Sequence, residues 1–399
     1  MMMKLLKQSI SLLCLILFFT ACQPDKEDFN PELPDTPQVG NNGNNNNNGF
    51  IALPTTVASP SDNPQSAAKT ALGRALFWDP ILSGERDVAC ATCHHPARGY
   101  GDGLDLPIGV GGIGFSENRT LGYTGFVGRN SPTIINTAFN GINDNGAVNP
   151  ENAPMFWDNR ANSLEEQALL PLHSFSEMRG EAYPENETMQ QVVSRLQNIP
   201  AYTNLFADAF GNNSINAENI GKALAAFQRT IIANNAPFDR FQRGDEGAMS
   251  PLQIAGMNTF QDVGCDDCHS GPMFSDYQLH VLGVRENNKL NIPDAGNGNF
   301  AFRTPTLRNL NFTGPYMHNG VFETLDEVLD FYDDNNNQSQ NPNVNNNQLD
   351  NDLRQLDNLN NREIDEIIAF LGSLNDPNFD RTIPSSVPSG LTPGGAIQN

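Results

Sequence analysis

Apolar residues recur every three to four positions over Ala67–Phe77, Met189–Leu196, Ile220–Ile232, Leu252–Phe260, Leu325–Tyr332 and Ile364–Leu374, and this spacing predicts amphipathic helices. Ser250 followed by Pro251 supplies an N-cap and a first-turn proline for the fourth of them. Strand-like alternation is scarce, and Gly, Pro and Asn fill the connections, so the expected fold is mainly α with long loops. One apolar stretch has no such period. Ile10–Phe19 follows a start carrying Lys4 and Lys7 and is too short to span a bilayer comfortably, which makes it the core of a signal peptide. Thr20-Ala21-Cys22 after it resembles a bacterial lipobox, implying cleavage after residue 21 and lipidation of Cys22; a plain secretory peptide cut nearby is the alternative.

Residues 22–64 carry Pro31, Pro34, Pro37 and an Asn/Gly tract with almost no apolar side chains, so they are expected to be a disordered tether. Residues 376–399, rich in Pro, Ser and Gly, are expected to be a flexible or a packed tail. The roughly 310 residues between exceed one comfortable core. Two domains are expected, at 65–245 and 246–375. The formal net charge of −23 argues against a nucleic-acid partner and favours fast, weak docking of a basic redox protein such as a small cytochrome c. Simple solubility of an exported chain would account for the charge equally well.

Four of the six cysteines fall in two copies of one pattern, Cys90-Ala-Thr-Cys93-His94 and Cys265-Asp-Asp-Cys268-His269. Cys-x-x-Cys-His is the attachment signature of c-type haem: the thiols form thioethers with the vinyl groups and the histidine reaches the iron. A zinc knuckle or a disulfide is the competing reading of one copy and a poor reading of two. With Cys14 in the signal peptide and Cys22 lipidated, no cysteine remains for a disulfide. Each copy follows a predicted helix, so the expectation becomes two cytochrome c-like haem domains.

Around the two motifs the chain resembles the bacterial dihaem cytochrome c peroxidase superfamily, which includes the tryptophan-modifying MauG enzymes. The resemblance covers roughly residues 66–375 and rests on ALGRALFWDP from Ala71, Arg129-Asn130-Ser131-Pro132-Thr133, Phe156-Trp157-Asp158-Asn159-Arg160, Arg303-Thr304-Pro305-Thr306-Leu307-Arg308-Asn309 and Gly314-Pro315-Tyr316-Met317-His318-Asn319-Gly320. It implies a peroxidatic N-terminal haem on His94 and an electron-transferring C-terminal haem on His269. Trp157 matches the tryptophan between the haems, Gln167 a distal-pocket glutamine, Pro171 a wall proline and Glu177 the catalytic glutamate. A buried carboxylate can take a proton from one oxygen of peroxide and return it to the departing one; His173, in the same loop, is the rival acid–base group. Asn130, Thr313 and Pro315 match the residues that hold a calcium ion through oxygen donors between the domains.

Two departures stand out. Many cytochrome c peroxidases of the superfamily rest with a histidine capping the peroxidatic iron, but Val110 occupies that position and no histidine occurs between Pro96 and Leu172. The first haem is therefore expected to have an open distal side, His95 being too near His94 to fold back. Where those enzymes supply methionine to the C-terminal haem, this chain has Tyr332, as MauG-like members do; Met317 is the alternative ligand. The leading expectation is a peroxidase that reduces hydrogen peroxide with electrons from a small redox protein. The alternatives are a MauG-like oxidase of a protein side chain and a non-catalytic dihaem carrier. The resemblance also admits a homodimer. The leader places the protein on the periplasmic side of a bacterial envelope, touching a membrane through the lipid alone; Gln23 after Cys22 leans toward the outer membrane.

Overall fold

Ser66 and Ser250 cap the two helices that run into the attachment motifs. The Ser66 hydroxyl accepts from the Lys69 amide at 3.2 Å. Ser250 forms a reciprocal box with Gln253, with Pro251 in the first turn as expected. The computed structural model describes residues 49–335, 338–353, 356 and 358–397; the expected signal peptide, Cys22 and residues 23–48 lie outside the described residues. In chain order the helices are α1 (Ala67–Trp78), α2 (Cys90–Cys93), α3 (Leu164–Gln167), α4 (Leu170–His173), α5 (Thr188–Gln197), α6 (Pro200–Phe210), α7 (Ala217–Gln228), α8 (Pro237–Gln242), α9 (Pro251–Asp262), α10 (Leu325–Asn335) and α11 (Asn361–Ser373). Two short strands, β1 (Leu279–His280) and β2 (Phe302–Arg303), pair antiparallel. All the predicted helices are present, with ends shifted by a few residues; α2, α3, α4, α6 and α8 had no counterpart in the predicted set.

The same construction appears twice. Helix α1 crosses α7 at Gly73, where a Cβ would stand 1.9 Å from the Ala223 carbonyl oxygen. Helix α9 crosses α11 at Gly256, where a Cβ would stand 1.8 Å from the Glu366 carbonyl oxygen. At both crossings glycine alone lets the backbones approach this closely, and each crossing sets the wall behind one attachment motif. The apolar residues accordingly form two main cores, one around Leu72, Leu76, Phe77, Leu224 and Phe227, the other around Phe260, Phe274, Ile367 and Phe370.

The ends of the described chain are not free. The expected tether extends to residue 64, but Phe50 is buried in the C-terminal core against Phe238, Phe260, Phe274 and Phe370. Asp239 accepts from the Leu53 amide at 3.0 Å, and buried Asn63 donates to Glu165 at 2.7 Å. The few apolar residues at the end of that stretch, Phe50 and Leu53, outweigh its polar composition. The tail is packed rather than flexible over 376–397: Phe379 and Val387 enter the N-terminal core, and Gly395 bridges to Val88. The described residues thus start on the C-terminal core and finish on the N-terminal one.

Candidate active site

The two attachment motifs open onto one continuous cavity of about 370 Å³. Helix α2 is a single turn spanning Cys90–Cys93, stabilised by the Thr92 hydroxyl, which accepts from the Ala89 amide at 2.9 Å and donates to the tail carbonyl of Gly394 at 3.0 Å. The His94 Nδ1 lies 3.0 Å from the Tyr100 carbonyl oxygen and 3.3 Å from the Ser131 hydroxyl. The His269 Nδ1 lies 2.9 Å from the Phe274 carbonyl oxygen. A carbonyl partner requires each Nδ1 to carry the proton, leaving Nε2 with its lone pair free. Burial lowers both histidine pKa values and keeps the rings neutral. Burial also pushes the Cys90 and Cys265 thiols up to about 12. The four cysteines are free, so neither pair is a disulfide.

Glu177 lines the cavity on the His94 side, in a π turn over Phe175–Arg179. The turn is pinned from behind. The amides of Val110 and Gly84 donate to the carbonyls of Ser176 (3.2 Å) and Met178 (2.7 Å). A Cβ at Gly109 would lie 2.0 Å from the Ser176 oxygen, so only glycine fits there. Burial raises the Glu177 pKa, while the Arg160 charge and a hydrogen bond with Ser174 pull it down. Gln167 and Pro171 share this wall; His173 is absent from it, and its carbonyl accepts from Arg179 Nε at 2.9 Å. Val110 is fully buried in the N-terminal core, and its loop is clamped by Arg119, whose guanidinium donates to the carbonyls of Ile108, Gly109 and Gly114. His95 packs between Trp78 and Phe115 and does not reach the cavity.

Trp157 lies on the cavity wall shared by both motifs. Its indole donates to the Asn130 carbonyl at 2.9 Å, its own carbonyl accepts from the Arg303 amide at 2.7 Å, and the Asn130 amide donates to the His318 carbonyl at 2.8 Å. Asn130 is followed by Ser131, which donates to the Cys93 carbonyl at 2.7 Å. Trp157 is therefore joined to the His94 motif through one short run of backbone. On the C-terminal side, Tyr332 of α10 and Met317 both line the cavity and pack in one apolar cluster. Burial raises the Tyr332 pKa, and charge on Cys268 and Cys265 would raise it further. Asn130, Thr313 and Pro315 line the same cavity, and the Asn130 amide nitrogen donates to the Leu104 carbonyl at 2.9 Å.

Three features had not been singled out in the sequence. His280 sits between Asp276 (2.9 Å) and Asp350 (2.8 Å), and hydrogen bonding, first to Asp276, pushes its pKa up to about 11. Cys268, Asp276 and His280 offer ligand atoms within 4.8 Å of one another, but Cys268 belongs to an attachment motif. His318, inside a quoted block, is buried and stacked on Phe302 at 3.6 Å. Arg129 is held by Asp158 (2.7 Å) and Asp294 (2.5 Å) on the cavity wall. The i, i+4 spacing of Asp276 and His280 was a readable signal; Asp350 and Asp294, remote in sequence, gave none.

A family model described as di-haem cytochrome c peroxidase matches residues 67–247. The methylamine utilization protein MauG of Methylorubrum extorquens is 38% identical over 291 residues, which is 70% of this chain and 72% of that protein. The cytochrome c551 peroxidase of Pseudomonas aeruginosa is 31% identical over 293 residues, 70% of this chain and 76% of its own length. The chain belongs to the di-haem cytochrome c peroxidase family. A crystal structure of a MauG-like protein associated with microbial copper homeostasis superposes with a TM-score of 0.66 at 26% identity, covering 81% of this chain and 95% of that one.

The protein is accordingly an oxidoreductase of the cytochrome c peroxidase type, and the family carries two c-type haems. The residues present fit them. Each motif offers two unpaired thiols beside a histidine whose tautomer is fixed with Nε2 available, on a cavity lined largely by apolar side chains.

Proposed function

We propose that the protein reduces hydrogen peroxide to water on the His94 side, with electrons from a small redox protein entering on the His269 side. The observation that carries this reading is the placement of Glu177: a half-buried carboxylate on a pinned turn facing the His94 cavity, with Gln167 and Pro171 beside it and His173 elsewhere. When bound, the haems supply the redox chemistry that cleaves the peroxide O–O bond. Glu177 takes a proton from one peroxide oxygen and delivers it to the other as that oxygen leaves. Two electrons and two protons per peroxide then yield two waters. Gln167 orients the incoming molecule by hydrogen bonding, and Val110, packed in the core, offers no ligand atom of its own to the cavity. Trp157 would carry electrons between the two halves, and Tyr332, or Met317 in its place, would be the residue that holds the second haem's iron. Asn130, Thr313 and Pro315 hold calcium between the halves; the Asn130 nitrogen is committed to Leu104, which leaves its amide oxygen as the donor.

The acidic chain meets a basic donor such as a small cytochrome c, and export with lipidation at Cys22 puts the body on the periplasmic side of an envelope. A second reading, peroxide-dependent oxidation of a partner protein's side chain, is favoured by Tyr332 on the C-terminal wall and by the likeness to MauG. Steady-state assays with peroxide separate the two. Rapid oxidation of reduced cytochrome c supports the peroxidase, whereas slow oxidation of every small redox donor supports the second reading.

A further inference from the structure

Residues 338–353 read as low-complexity chain, yet they are packed. The stretch carries Val344, Leu349 and Leu353 among Asn, Gln and Asp, and all three are buried against Val281, Leu282, Phe300 and Tyr332. It is tied to residues 280–284 along its length. The Gln340 amide donates to the Gly283 carbonyl and the Asp350 amide to the Val281 carbonyl, each at 3.0 Å. The buried Asn341 side chain donates to the Val284 carbonyl at 3.1 Å. Gly283 has a φ of +70°, and a Cβ there would meet Ser339 Oγ at 2.5 Å and Leu349 at 2.8 Å, so the contact is built on glycine. At the far end the His280–Asp350 pair ties the stretch to β1, with Asp276 holding the other ring nitrogen. Asn341, Val344, Asp350 and Leu353 line the cavity beside Tyr332.

We propose that residues 338–353 are a strap, latched by the His280–Asp350 pair, that seals the C-terminal haem site around Tyr332 and thereby confines peroxide and other small ligands to the N-terminal site. The inference rests on the functional reading above, in which the His269 side transfers electrons only. The strap's apolar residues exclude water from the Tyr332 side, and the latch, itself on the cavity wall, fixes their position. His280 is thus a positioning residue. Its partner Asp350 can be changed without touching an attachment or axial residue.

The test is a cyanide titration of the ferric holoprotein, followed in the Soret band, together with hydrogen exchange over 338–353. The wild type takes up one cyanide per chain. Asp350→Ala raises uptake to two and speeds exchange in the strap, while Asp350→Asn, which keeps an acceptor for His280, stays at one. Leu349→Ala, which loosens the strap from inside, also gives two and serves if Asp350→Ala fails to load both haems. Uptake of one in both Ala variants despite faster exchange overturns the strap's sealing role; unchanged exchange in Asp350→Ala overturns the latch. Two cyanides bound by the wild type would show instead that the reading of a closed C-terminal site is wrong, and the strap proposal falls with it.

Discussion

Glu177 has its carboxyl on the cavity and its backbone locked from behind, so its chemistry can be tested without disturbing the fold. Glu177→Gln keeps the shape and removes the proton carrier, and kcat for peroxide turnover should fall ~10²–10⁴-fold. Because burial raises the carboxyl pKa, the base form is lost as pH falls through a value above the ordinary ~4.3 of glutamate. The acid limb of kcat/KM against pH should therefore lie above that value in the wild type and vanish in the variant. A structural prediction concerns Arg308, which is fully buried and doubly bonded to Asp239 at 2.8 and 3.0 Å. Arg308→Ala leaves that carboxylate uncompensated and should cost ~3–5 kcal/mol in denaturant unfolding. Residues whose chemistry is local, the Cys-x-x-Cys-His motifs above all, were legible in the sequence, whereas Glu177 was singled out only through the family resemblance. The Arg308–Asp239 and His280–Asp350 pairs were not, since each joins residues about 70 apart that only the fold brings together.

Among the elements, the helices with their own apolar stripe and caps, such as α9 and α11, were readable from periodicity. The one-turn helices α2, α3 and α4 and the π turn were not, because such short turns have no stripe of their own and exist by packing and by hydrogen bonds to remote backbone. The Asn-rich stretch after α10 shows the same limit: composition points to disorder, but three well-placed apolar residues suffice to pack it. The glycine crossings give the test at this scale. Gly256→Ala would put a methyl group 1.8 Å from the Glu366 carbonyl oxygen and force α9 and α11 apart, at ~1–3 kcal/mol. Unfolding of the holoprotein measures it. An equivalent loss should follow Gly73→Ala at the other crossing.

The described chain is one unit in which each end is fastened to the core of the opposite half. Phe50→Ala should cost ~3–5 kcal/mol although it lies far in sequence from the C-terminal core it fills. Removing residues 386–399 should lower the thermal stability of the N-terminal haem environment, since Thr92 beside Cys93 loses its Gly394 partner. A shift in the melting of the His94 haem spectrum reads this out. The proposed function makes two motifs of one pattern unequal: the His94 haem would be open and face Glu177, and the His269 haem would be closed by Tyr332 or Met317. An EPR spectrum of the resting ferric holoprotein tests it most directly. The account predicts one high-spin and one low-spin ferric haem in equal amounts; two low-spin, six-coordinate haems would contradict it.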